Sequence, residues 1–193
     1  MAEPARSASR NGRGKWVHIK EGVVLKPYDP QWPAMYEKAR AELVACIGQH
    51  TLRIEHVGST SIPGLAAKPT IDILVGVRDW DEAKITIAPL TDIGWGYVGE
   101  HGIPRRHYFR RGAVSGRRTH HLHMLEVTHP ECESMLSFRN YLRGHPNAAA
   151  DYERLKLDLA RRNLDGPGYQ EAKAPFIQGV LERARGTCPT TDG

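Results

Sequence analysis

The run IDILVGV, residues 71–77, constrains the fold more than any other segment, because it is apolar throughout except for one carboxylate, Asp72. So short a run of Ile, Leu and Val reads as a strand buried on both faces rather than as a helix. Such a strand needs a layer on each side, so the chain is expected to be α/β (α+β), with a mixed sheet flanked by helices and a helical C-terminal part. The neighbouring pattern agrees. Leu52 to Val57 alternates in the manner of a strand, and further short strands are expected over Gly22–Lys26, around Tyr97, over His107–Arg110 and over His120–Val127. Trp32, Met35, Tyr36, Ala39, Leu43, Cys46 and Ile47 recur at helical spacing behind Asp29 as cap and Pro30 as first residue, and Gly48 ends the run. That stripe is a core-facing surface, not a cofactor box. Asp79 is expected to cap a helix to about Ala88, where Pro89 breaks it. Helices are expected over Pro130–Gly144, Ala148–Asn163 and Tyr169–Arg185, parted by GHPN and DGPG.

At 193 residues, one domain with a substantial core is expected. The organisation reads as a basic leader over residues 1–20, a domain over 21–185 and a loose tail over 186–193. The net charge of +5 invites a nucleic-acid reading. Most of that charge sits in the leader, however, where Arg6, Arg10, Arg13, Lys15 and Lys20 stand against Glu3 alone. A solvated tail adds salt-sensitive attraction to polyanions without specifying a site, so nucleic acid is not the expected partner. No run approaches the roughly 18 apolar residues of a membrane span, and no apolar stretch of secretory type comes after the first basic residues. A cytoplasmic protein with no membrane partner is expected. The three cysteines, Cys46, Cys132 and Cys188, are far apart and read as reduced thiols.

The chemistry is expected in the loop GSTSIPGLAAKP that enters the strand of Asp72. Gly58 allows the backbone to turn sharply as it leaves the preceding strand, and Ser59, Thr60 and Ser61 supply hydroxyls beside exposed amides. This is a donor cluster of phosphate size, with Lys68 at its far end. Asp72 then stands where it can hold a divalent ion bridging those phosphates. On composition alone an ordinary turn competes with this reading, and so does a hydrogen-bonded structural aspartate.

The segments HVGSTSIPGLAAKPTIDILV, GIPRRHYFRRG, RTHHLH, FRNYLRGHP and YQEAKAPFI occur in an order that resembles the GrpB family across residues 22 to 185. The resemblance implies a nucleotidyltransferase-like fold, and it implies that related domains occur fused to dephospho-CoA kinases. In that superfamily a Gly-Ser turn accompanies a pair of carboxylates two residues apart on the next strand. Gly58-Ser59 matches the turn, but the two-residue neighbours of Asp72 are Thr70 and Leu74.

Strand alternation puts His121 and His123 on one face, with His120 and Leu122 on the other. Two imidazoles and Asp72 would make a catalytic or metal set suited to a transition metal, or to magnesium or manganese through Asp72 alone. Phosphate binding or simple packing by these histidines competes evenly. Glu126 falls on the His120 face and reads as structural. Of Arg105, Arg106, Arg110 and Arg111, the pair Arg105 and Arg106 is expected to reach a phosphate or carboxylate from its Gly/Pro loop. Lys173 shares a helix face with Tyr169 and is a further phosphate-binding candidate.

These readings converge on a transferase that takes ATP or another nucleoside triphosphate with a divalent metal and delivers a nucleotidyl group to a small molecule. With a carboxylate acceptor, the same chemistry becomes an ATP-dependent ligase that forms an amide through an acyl-adenylate. The alternative is a non-catalytic nucleotide- or ligand-binding module that has lost the paired carboxylates. Acceptor and oligomeric state are left open.

Overall fold

The computed structural model describes residues 24–112, 118–162, 164 and 166–186. The leader, Cys188 and most of the tail lie outside the described residues. Five strands form one sheet: β1 (Arg53–Val57), β2 (Ile71–Val77), β3 (Gly96–Gly99), β4 (His107–Gly112) and β5 (Arg118–Glu126), in the spatial order β1-β2-β5-β4-β3. β2 and β5 run parallel while every other pair is antiparallel, so the sheet is mixed. The helices are α1 (Trp32–Ile47), α2 (Ile87–Asp92), α3 (Pro130–Gly144), α4 (Pro146–Arg161) and α5 (Gly166–Gly186).

β2 is buried along almost its whole length, as its composition requires. Ile71, Ile73, Val75 and Val77 pack under the α1 stripe of Trp32, Tyr36, Ala39, Leu43 and Ile47 together with Leu90 and Trp95. On the opposite face Leu74 joins Val57 and Leu125 beneath Cys132 of α3. A second helical layer forms where Leu142, Tyr152 and Val180 close over Ile62 and Leu65 of the loop between β1 and β2. Cys46 and Cys132 carry free thiols.

Several local expectations are corrected. Among its described residues, the segment expected as a first strand contributes bridge residues at Leu25 and Lys26, the latter paired with Ala67, in place of a strand. α1 begins at Trp32 with Gln31 as cap, because the Asp29 side chain accepts from the Gln31 amide in a turn that precedes the helix. After β2, Asp79 does accept from the amides of Asp81 and Glu82. The next element is a 3-10 turn over Glu82–Thr86, and Pro89 sits in the first turn of α2, where its missing N–H costs nothing. Pro175 lies inside α5, which begins at Gly166, ahead of the expected start at Tyr169.

Candidate functional site

Gly58 leaves β1 at φ +69, and a methyl group in place of its hydrogen would stand 2.4 Å from Asp72 Oδ2. The backbone is therefore pressed against the carboxylate in a conformation that only glycine adopts without strain. A 3-10 turn, Ser59–Ser61, comes next. Two of its three hydroxyls turn inward, which corrects their expected role as phosphate donors. Thr60 Oγ1 lies 3.0 Å from His56 Nε2 and donates to the Thr70 carbonyl, and Ser61 Oγ donates to the Gly58 carbonyl at 2.6 Å. Ser59 is half-buried, and its hydroxyl reaches that of the buried Tyr152.

Register decides which side chains join Asp72. On the parallel β2–β5 ladder Asp72 is opposite His121 and Leu74 is opposite His123, while on β4 Arg110 is opposite His121 and Tyr108 opposite His123. His121 Nδ1 stands 3.0 Å from Asp72 Oδ1, and His123 Nε2 stands 3.9 Å from the same oxygen. The partners assign the protons. Arg106 Nη1, which can only donate, lies 3.2 Å from His123 Nδ1 and so leaves the His123 proton on Nε2. The carboxylate takes the Nδ1 proton of His121, whose Nε2 is buried without a partner. Burial alone would raise the pKa of Asp72. The N–H groups that His121 and His123 turn towards it outweigh that effect and hold the carboxyl well below the usual carboxylate range.

The two imidazoles thus present protons to Asp72. The expected metal set of Asp72, His121 and His123 is a hydrogen-bonded group, and no cluster of three or more His, Cys, Asp and Glu able to hold an ion occurs among the described residues. The donors fit at most one ion, bound through Asp72 and completed by a ligand's own oxygens. Where a second carboxylate would stand, Thr70 is buried with its hydroxyl unpartnered and Leu74 is sealed in the core.

Lys68 at the rim and Lys173 from α5 lie close enough for their charges to act on Asp72. Lys173 is buried over the ring of Tyr169, at 4.6 Å, and burial brings its pKa down to about 8. Behind it Lys156, also buried, donates to the Ala66 carbonyl, and burial lowers it to about 7. Lys156 and Tyr152 carry no motif, and only the packing of α4 on the loop brings them to the site.

Arg105 and Arg106 part company. Arg106 is buried beside His123, whereas Arg105 turns to the opposite side of the sheet and pairs with Glu126 at 2.7 Å. Glu126 also accepts from the Trp80 amide, which makes it structural. Arg110, not Arg105, is the second arginine on the Asp72 face, because alternate residues of β4 share a face. A cavity of about 500 Å³ lies elsewhere, lined by Ile62, Pro63, Leu65, Leu142, Ala149 and Glu153 among others, and it includes none of these site residues.

A family model described as GrpB protein matches residues 22–183. Among curated relatives, the chain is 37% identical over 170 residues to UPF0157 protein YqkA of Bacillus subtilis, covering 88% of this chain and 49% of that protein, so this chain spans about half of that relative's length. It is 32% identical to UPF0157 protein BH1888 of Halalkalibacterium halodurans, covering 86% of this chain and 84% of that protein. Among solved structures, the conserved protein GrpB from Enterococcus faecalis superposes with a TM-score of 0.76 at 36% identity, covering 83% of this chain and 96% of that one.

Proposed function

The chain belongs to the GrpB family, and from that premise we propose that it is a nucleotide-dependent transferase, delivering a nucleotidyl group from ATP or another nucleoside triphosphate to a small acceptor. One observation carries the reading: an aspartate held ionised on β2, against a glycine turn with no room for a side chain, faces a site otherwise lined by cations. Asp72 is the single acid in this group, so a polyanionic ligand meets an attractive field there.

In this reading the Gly58–Ser59 turn, Lys68 and Lys173 receive the phosphates. Asp72 holds a magnesium or manganese ion, which when bound neutralises phosphate charge. His121, its Nδ1–H committed to Asp72 and its Nε2 buried, would hold the carboxylate in place against the ion. The acceptor oxygen would bond to the α-phosphorus while pyrophosphate departs. A carboxylate acceptor would yield an acyl-adenylate, whose acyl carbon an amine would attack to form an amide as AMP and a proton leave.

The test is calorimetric titration of ATP with and without magnesium or manganese, together with pyrophosphate release across a panel of acceptors. Asp72→Asn should fold and lose metal-dependent ATP affinity and turnover by orders of magnitude. Unchanged metal-dependent affinity in a stable Asp72→Asn protein would refute the metal role of Asp72. A second reading, a non-catalytic nucleotide-binding module, is favoured by the sealed Leu74 and the unionisable Thr70. It is the reading left standing if ATP binds but no acceptor yields pyrophosphate.

A further inference from the structure

Three arginines on or against the sheet each meet an acid: Arg105 pairs with Glu126 at 2.7 Å, Arg111 with Glu42 at 2.5 Å and Arg139 with Glu55 at 2.8 Å. Arg106 and Arg110 do not. Among the described residues neither has a carboxylate partner, although Arg106 is 5% exposed. Arg106 donates to the carbonyls of Glu100 and His101 and to His123 Nδ1. Arg110 Nη2 donates to His101 Nε2 at 2.7 Å, while its Nε is buried without a partner. Both guanidinium groups lie against the ring of Tyr108, at 4.8 and 5.2 Å. A guanidinium withdrawn from water calls for a counter-charge, and among the described residues this pair meets carbonyls, imidazoles and Tyr108, whose ring they flank and whose hydroxyl Arg110 hydrogen-bonds.

Their place on the sheet separates them from the phosphate turn. Arg110 on β4 is opposite His121 on β5, which is opposite Asp72 on β2, so Arg110 stands two strands, about 10 Å, from the carboxylate. The Gly58 turn is one strand further. Beside Arg110 the His101 ring lies flat on Tyr108, 4.9 Å away at an interplanar angle of 4°. His101 is exposed and sits at φ +45, a left-handed conformation costly for a residue with a side chain and retained here in a loop that frames the site. Arg110 therefore borders a flat ring, a setting for an anionic group on a carbon body.

We propose that Arg110, backed by Arg106 and by the His101–Tyr108 stack, is the subsite for the second substrate, and that this acceptor carries a carboxylate or a phosphate. The proposal rests on the transferase reading and adds the class of acceptor. Arg110 supplies the reachable donors, and Arg106 is a positioning residue that fixes His123 and the carbonyls of the His101 loop.

The experiment titrates inorganic phosphate and, separately, glutarate into the full chain saturated with ATP and magnesium. Wild type should bind at least one of them without displacing ATP, and Arg110→Ala should weaken that binding tenfold or more while leaving ATP affinity within twofold. Arg110→Lys, which keeps the charge but loses the planar fork, should fall between them and replaces the alanine variant if that one does not fold. Displacement of ATP by the probe would assign the arginines to the nucleotide's own phosphates and overturn the proposal. So would absence of binding by both probes to the wild type, or binding that Arg110→Ala leaves unchanged. If ATP itself fails to bind, yet a probe binds free wild type and is lost in Arg110→Ala, the anion subsite stands and the nucleotide reading falls.

Discussion

Gly58 and Asp72 are a single fitted unit, and each limits what the other can become. Gly58→Ala would place a methyl carbon 2.4 Å from Asp72 Oδ2 at φ +69, so a loss of roughly 2 kcal/mol or more is expected in urea unfolding. The variant should also lose ATP affinity, since relief of the clash must move the carboxylate or the turn. Leu74 shows the opposite limit. It is fully buried with Val57, Leu125 and Cys132, so Leu74→Asp should destabilise the fold by about 3–5 kcal/mol, as an unpaired charge in a core does, rather than supply a second metal ligand. Retention of wild-type unfolding midpoints by Leu74→Asp would show that the face beneath α3 is wetter than the packing describes. The spacing of Asp72 against Thr70 and Leu74 was legible in the sequence. The inward turn of Thr60 was not, because it depends on the Thr70 carbonyl meeting it across the loop.

At the scale of elements, the loop between β1 and β2 owes its shape to helices far along the chain. Arg139 of α3 donates to the His56 carbonyl, Arg143 donates twice to the Ser61 carbonyl, and Glu153 and Lys156 of α4 hold the amide and carbonyl of Ala66. The main chain of Lys26 pairs with Ala67 on the other side. Arg143 is exposed, so Arg143→Ala should cost only about 1 kcal/mol in stability, the scale of ordinary hydrogen bonds. Amide exchange over residues 59–62 should nevertheless quicken, and ATP affinity should weaken several-fold. Unchanged exchange there would mean that buried Ile62 and Leu65 hold the loop without the arginine. The five sheet strands and the four long helices described were recognisable from periodicity, whereas these clamps link residues more than 80 positions apart and leave no local pattern.

For the whole molecule, the buried lysines set a pH dependence. Burial lowers Lys156 to about 7 and Lys173 to about 8, each below the ordinary lysine value of 10.5. Between those values and 10.5 the unfolded chain binds more protons than the folded one, so stability should rise as pH increases from about 7 towards 10.5. Below about 7 both side chains are charged in the fold and the gain is absent. Thermal melts across this range should show the rise, and Lys156→Met should lessen it to the part owed to Lys173; an equal slope in that variant would mean that Lys156 is better solvated than its burial describes. Among the described residues no helix is long and apolar enough to cross a membrane. The sequence by itself determined that a two-sided apolar strand carries one carboxylate behind a glycine turn, and that helices cover the sheet, because burial imposes period 2 on strands and period 3.6 on helices. It also marked His121 and His123 as sharing a face. Only the tertiary structure decided that Arg110 rather than Arg105 joins that face, that Lys156 and Tyr152 stand behind the loop, and that the imidazoles turn their protons to Asp72. Those outcomes depend on inter-strand register and on helix packing between distant segments, and neither is encoded in the local spacing of residues.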